Sequence, residues 1–71
     1  MARDIEIRGD MIRLGPLLKV AGVIDAGGEA RSFLSSNPVL VNGEPEQRRG
    51  RQLHAGDEVQ IGDELLRLVA G

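Results

Sequence analysis

The residues best equipped for chemistry in this chain are arginines. Arg48, Arg49 and Arg51 fill three of four consecutive positions with no acidic residue between them, while Glu44 and Glu46 lie just before. Eight of the nine basic groups along the 71 residues are arginine, Lys19 being the ninth. A planar guanidinium makes paired hydrogen bonds to phosphate oxygens, a geometry an ammonium cannot reproduce, so these side chains suit the holding of a polyanion. The formal net charge of −2 would argue against such a partner if charge were spread evenly. It is not: residues 1–30 hold four basic and five acidic groups, residues 31–55 four and two, and residues 56–71 one and four. The middle segment carries a positive field that the total conceals.

Other chemistries find little support. There is no cysteine and one histidine, His54, so neither a disulfide nor a thiolate zinc site is expected, and no metal or cofactor. The pairs Asp57-Glu58 and Asp63-Glu64 could do acid–base work, yet both sit at turn signals without a nucleophile or companion histidine. Ser35 and Ser36 lack an activating base, and Gly27-Gly28 lacks the lysine and Ser/Thr spacing of a phosphate loop. No catalytic residue and no small-molecule substrate follow from this, and the chain reads as a non-enzyme. Phe33 is the one aromatic residue, and its place on an apolar stripe assigns it to the core rather than to base stacking.

The elements that would position the arginines are visible as patterns. Hydrophobic residues make up 41% and charged residues 28%, the balance of a folding chain, and the length fits one domain, residues 1–71. No apolar run approaches the roughly 20 residues of a membrane span, and no signal-peptide segment opens the chain, so a cytoplasmic protein without a membrane partner is expected. Ile5 and Ile7 alternate with charged neighbours, predicting an opening strand. Leu14, Leu17, Leu18 and Ala21 form a helical stripe, with Pro16 at its first position and Gly22 at its end. Asp25 caps a second helix in this reading, Ala26, Ala30, Phe33 and Leu34 give its stripe, and Asn37 ends it in a left-handed conformation. Val39–Val41 reads as a strand, Asn42-Gly43 as a tight turn that Asn42 shapes, and Pro45 as a break in pairing. Leu53 to Asp57 turns into a strand at Glu58–Ile61, and Gly62-Asp63 closes a hairpin onto Glu64–Val69.

Several spacings then agree at once: Arg13-Leu14, Leu17, Gly22, Ala30-x-x-Phe33-Leu34, Val39-x-Val41-Asn42-Gly43 and Leu53-x-x-Gly56-Asp57. This stretch, residues 13–57, resembles the RNA-binding domain named after the fourth protein of the small ribosomal subunit, also carried by tyrosyl-tRNA synthetases and many pseudouridine synthases. The short chain looks like the small stand-alone bacterial members. The resemblance implies an α+β fold, two short packed helices against a small antiparallel sheet (the alpha-L RNA-binding motif). It also implies a non-enzymatic module that docks on structured RNA, ribosomal or transfer RNA. By the family's layout Lys19 and Arg31 on the helices and Arg48, Arg49 and Arg51 after the strand turn converge on one surface, with Arg13 near its edge. A-form RNA exposes phosphates and 2′-hydroxyls across a shallow groove, so shape and charge can read it without aromatic rings. One phosphate contact for each of Lys19, Arg31, Arg48, Arg49 and Arg51 predicts a log–log salt slope of roughly −3.5 to −4.5. The chain departs from the family's pattern where Ser-Arg often opens the second helix and Asp follows the first Arg-Leu; here stand Ala26-Gly27 and Gly15. Arg31, one turn further along, is expected to supply the positive group. The competing reading is a protein-interaction adaptor that has kept the architecture and lost the RNA contacts, with a ribosomal or RNA-processing protein as partner.

Overall fold

The computed structural model describes residues 2–71; Met1, with which the expected domain begins, lies outside the described residues. Strand β1 (Ala2–Ile7) is followed by the two-residue β2 (Ile12–Arg13), helix α1 (Leu14–Val20), a single 3-10 turn (Gly27–Glu29) and helix α2 (Ala30–Ser36). Then come β3 (Val39–Val41), β4 (Glu44–Pro45), β5 (Gln52–Leu53), β6 (Glu58–Ile61) and β7 (Glu64–Ala70). Five strands form one sheet in the order β1-β7-β6-β3-β4, and β2 pairs with β5 in a separate two-stranded ladder. The fold is α+β, two short helices packed on a small sheet.

Side-chain alternation explains which face of the sheet meets the helices. Ile5 and Ile7 of β1, Leu66 and Leu68 of β7, Val59 of β6, and Val39 and Val41 of β3 all point inward and are buried. Against them lie Leu14, Leu17, Leu18 and Ala21, the α1 stripe, together with Ala30 and Leu34 of α2 and Leu53 of β5. Phe33 is partly buried and packs against this core. Each fully buried leucine of this set contributes about 1.5–3 kcal/mol relative to exposure. Gly22 has φ +77° after α1, and Asn42 and Gly43 have φ +51° and +84°, so both central residues of the β3–β4 turn take the left-handed conformation that such a two-residue loop needs.

Several expectations are corrected. The sheet is mixed rather than antiparallel throughout: β1 runs parallel to β7, with Ile5 opposite Leu68 and Ile7 opposite Ala70. Helix α1 starts two residues before Pro16, which occupies a position whose amide has no intrahelical partner in any case. Asp25 does not cap the second helix. The chain from residue 27 first makes the 3-10 turn, and the Glu29 carboxylate reaches back to accept from the amides of Ala26 (2.9 Å) and Asp25 (3.2 Å), leaving Ala26 exposed. Asn37 is extended (φ −130°, ψ 136°), not left-handed, because Pro38 excludes helical geometry from the residue before it. It closes α2 with its side-chain amide, which donates to the Phe33 carbonyl at 3.0 Å. Pro45 does pair, opposite Leu40, on the sheet-edge strand where a missing N–H costs least.

Candidate functional site

Helix α1 follows β2 without a break, so Arg13 ends a strand and precedes a helix at once, and its backbone is extended. The β2–β5 ladder sets Arg13 opposite Gln52, immediately after the arginine segment. That segment, residues 46–51, is tied to the start of α1 by two backbone bonds: the Gly15 amide donates to the Arg49 carbonyl and the Leu14 amide to that of Arg51, both at 2.9 Å. These amides belong to the first turn of a helix and would otherwise lack partners. The approach is close enough that a Cβ on Gly15 would stand 3.4 Å from the Arg49 Cβ and 3.5 Å from its carbonyl oxygen. The glycine that departs from the family's pattern lies where the arginine segment meets α1, with room there for a methyl group at van der Waals distance.

The result is an open cleft of about 480 Å³ lined by Arg13, Gly15, Pro16, Lys19, Gly27, Ala30, Arg49 and Gly50. Its three charged groups come from β2, α1 and the arginine segment, all are cationic, and no acidic residue lines it. Among the described residues none of the three has an ion-pair partner. Three exposed cations around a concave wall rich in glycine form a surface that can seat a chain of phosphates.

Arg48 and Arg51 are differently engaged. The Glu46 side chain is only 7% exposed and sits among them, its Oε2 accepting from Arg48 Nε (3.1 Å) and its Oε1 from Arg51 Nη1 (3.0 Å). Arg48 Nη2 also donates to Oε1 at 3.1 Å, and the amides of Gln47 and Arg48 donate to Oε2 at 3.1 and 3.0 Å. The Arg48 guanidinium above all, with the Arg48 amide and Arg51, holds the Glu46 carboxyl down at about 2 against the opposing effect of burial, and Glu46 in turn raises Arg48 above its ordinary value. Arg48 remains 75% exposed and Arg51 36%, and with Gly50, Gln52 and His54 they line an adjoining hollow that meets the cleft at Gly50.

Arg31 lies exposed on α2 and lines neither hollow. Asn42 spans two turns: its side-chain amide donates to Asp57 Oδ1 (3.1 Å) and its carbonyl oxygen accepts from the Glu58 amide (2.9 Å). Burial pushes the Asp57 carboxyl up, but the His54 amide and the Asn42 side chain outweigh it and hold it below the usual range. The other carboxylates of the acidic pairs that carry a bond on the hairpin include Glu58, paired with Arg67, and Glu64, paired with Arg3. Arg3 also donates to the Ala21 carbonyl at the end of α1. Two residues of the site escaped the sequence reading, Gly15 and Glu46. The spacing Glu46-x-Arg48-x-x-Arg51 held a signal for the second, since a carboxylate so near two guanidiniums in sequence is within their reach.

The strand order, the paired helices and the arginine segment lodged against the first of them define a class. The family model described as the S4 domain matches residues 5–69, and the chain belongs to that family. It is 56% identical over 61 residues to a protein of Bacillus subtilis (strain 168) described as a probable ribosome maturation protein, RlbA, with 86% of each chain covered.

Proposed function

We propose that this protein is a non-enzymatic RNA-binding module that docks on structured ribosomal RNA during ribosome maturation. The observation that carries the reading is the convergence of Arg13, Lys19 and Arg49 from three separate segments on one cleft without an acidic lining residue. Membership of the S4-domain family and the relative named for ribosome maturation point the same way. Arg13, Lys19 and Arg49 take the phosphates of the backbone directly. Arg48 and Arg51 border the adjoining hollow with their charge half compensated by Glu46, and Arg31 adds a peripheral positive charge from α2.

Binding measured against folded ribosomal RNA over a range of salt tests this. Three direct phosphate contacts give a log–log slope of roughly −2 to −3, shallower than five would. Replacing Arg13, Lys19 and Arg49 together by alanine should abolish that slope, whereas Arg31→Ala should lower affinity only slightly. A triple variant that still binds with the parental slope would sink the reading. Capture of a protein complex that survives nuclease treatment and tolerates the triple variant would favour the adaptor instead.

A further inference from the structure

We infer that Glu46 is a positioning residue for RNA binding: its buried carboxylate folds the 46–51 segment so that Arg49 faces the cleft. The inference rests on the proposed RNA role of the cleft and deepens it. A buried carboxylate is tolerated only when its lone pairs are filled, and every donor that fills this one comes from residues 47–51. The Glu46 amide is itself anchored, donating to the Val39 carbonyl of β3 at 2.9 Å. The carboxylate therefore wraps the following five residues around a point fixed to the sheet. The Arg51 amide donates to the Arg48 carbonyl across the turn, at 3.2 Å, and brings Arg49 to its crest. The carbonyls of Arg49 and Arg51 then meet the amides of Gly15 and Leu14. The carboxylate touches neither Arg49 nor the cleft, and acts on both through the shape of the segment.

The sign of one substitution separates this role from plain electrostatics. Glu46→Gln removes a negative charge and releases two guanidiniums, so charge alone predicts tighter binding to a polyanion. Positioning predicts weaker binding, because an amide nitrogen then faces the arginine donors and the segment loses its shape. We expect affinity for purified folded ribosomal RNA to fall about tenfold, the scale seen when a partner that orients a binding group is lost. The double variant with Arg49→Ala should be no weaker than Arg49→Ala alone, since both act through one side chain. Exchange of the Gly15 amide should quicken in Glu46→Gln while the core amides stay protected. Glu46→Asp keeps the charge but withdraws the carboxylate by one methylene; it should show the same loss, and it replaces the glutamine variant if that variant does not fold. Unchanged or tighter binding by these variants, or full additivity with Arg49→Ala, overturns the inference. A failure of the cleft reading is recognised separately, because Arg13→Ala, Lys19→Ala and Arg49→Ala combined would then bind like the parent.

Discussion

At the scale of single residues, Glu46 is a carboxylate that its hydrogen bonds hold well below its ordinary value. Its folded value of about 2 lies below its ordinary 4.5, so its contribution to stability is complete above pH 4.5 and is lost as pH falls toward 2. The displacement corresponds to about 3 kcal/mol at most. Urea unfolding followed by circular dichroism should show a midpoint that is flat from pH 7 to 5 and drops between pH 4.5 and 2. Asp57, also held low, adds to the same drop, so Glu46→Gln should flatten the profile in part rather than wholly. A glutamine variant with the parental acid profile would show that the carboxylate's bonds carry no net stability. The role of Glu46 was hard to read from the chain because it depends on burial. Arginines a few positions from a glutamate are usually solvated side chains, whereas here Arg48 and Arg51 bond a buried carboxylate whose own amide is anchored on β3.

At the scale of elements, α1 and the arginine segment behave as one unit joined at Gly15. Alanine at this position meets Arg49 and Ala30 at van der Waals distance and should change stability by less than about 1 kcal/mol, as helix preference offsets the tight contact. Valine places further carbons where the Arg49 backbone lies, so Gly15→Val should destabilise by about 1–3 kcal/mol in urea unfolding. It should also weaken RNA binding through the displaced segment. Equal stability of the alanine and valine variants would show that the segment can move away without loss. Elements written in local patterns were legible: the Leu14, Leu17, Leu18, Ala21 stripe is buried as its spacing implies, and Asn42-Gly43 makes its turn. The second helix was read too early because Asp25 and Ala26 have the right residue types, but the two glycines that follow favour a tighter turn and Glu29 takes over the free amides. At Asn37 the tolerance of asparagine for positive φ competed with the constraint from Pro38, and the steric constraint won. Of the site, the cationic types were legible. That Arg13, Lys19 and Arg49 share a cleft while Arg48 and Arg51 turn toward Glu46 could be known only from the packing of β2, α1 and the segment between β4 and β5.

At the scale of the whole molecule, the fold divides charge differently from the chain: Arg13 and Lys19 of the cleft come from residues 1–30, where acidic groups outnumber basic ones. The cleft side carries unpaired cations, whereas on the β6–β7 hairpin Glu58 and Glu64 are each matched by an arginine. If RNA docks as proposed, its phosphate backbone would meet attraction at the cleft and little net pull at the hairpin, and the docking would have a preferred orientation. The pairing of β1 with β7 has another consequence. Their register joins residues more than sixty positions apart, such as Ala2 and Leu65, whereas β3, β4, β6 and β7 are linked in turn by short hairpins or neighbouring segments. Closing so large a loop costs more entropy than pairing the strands that are closer in sequence, and β1 is expected to add to a sheet whose other strands are already paired. Ile5→Ala should accordingly speed unfolding while leaving the refolding rate nearly unchanged in stopped-flow measurements. That outcome would make the outermost parallel strand a latch, governing how long the finished domain persists rather than how quickly it is made.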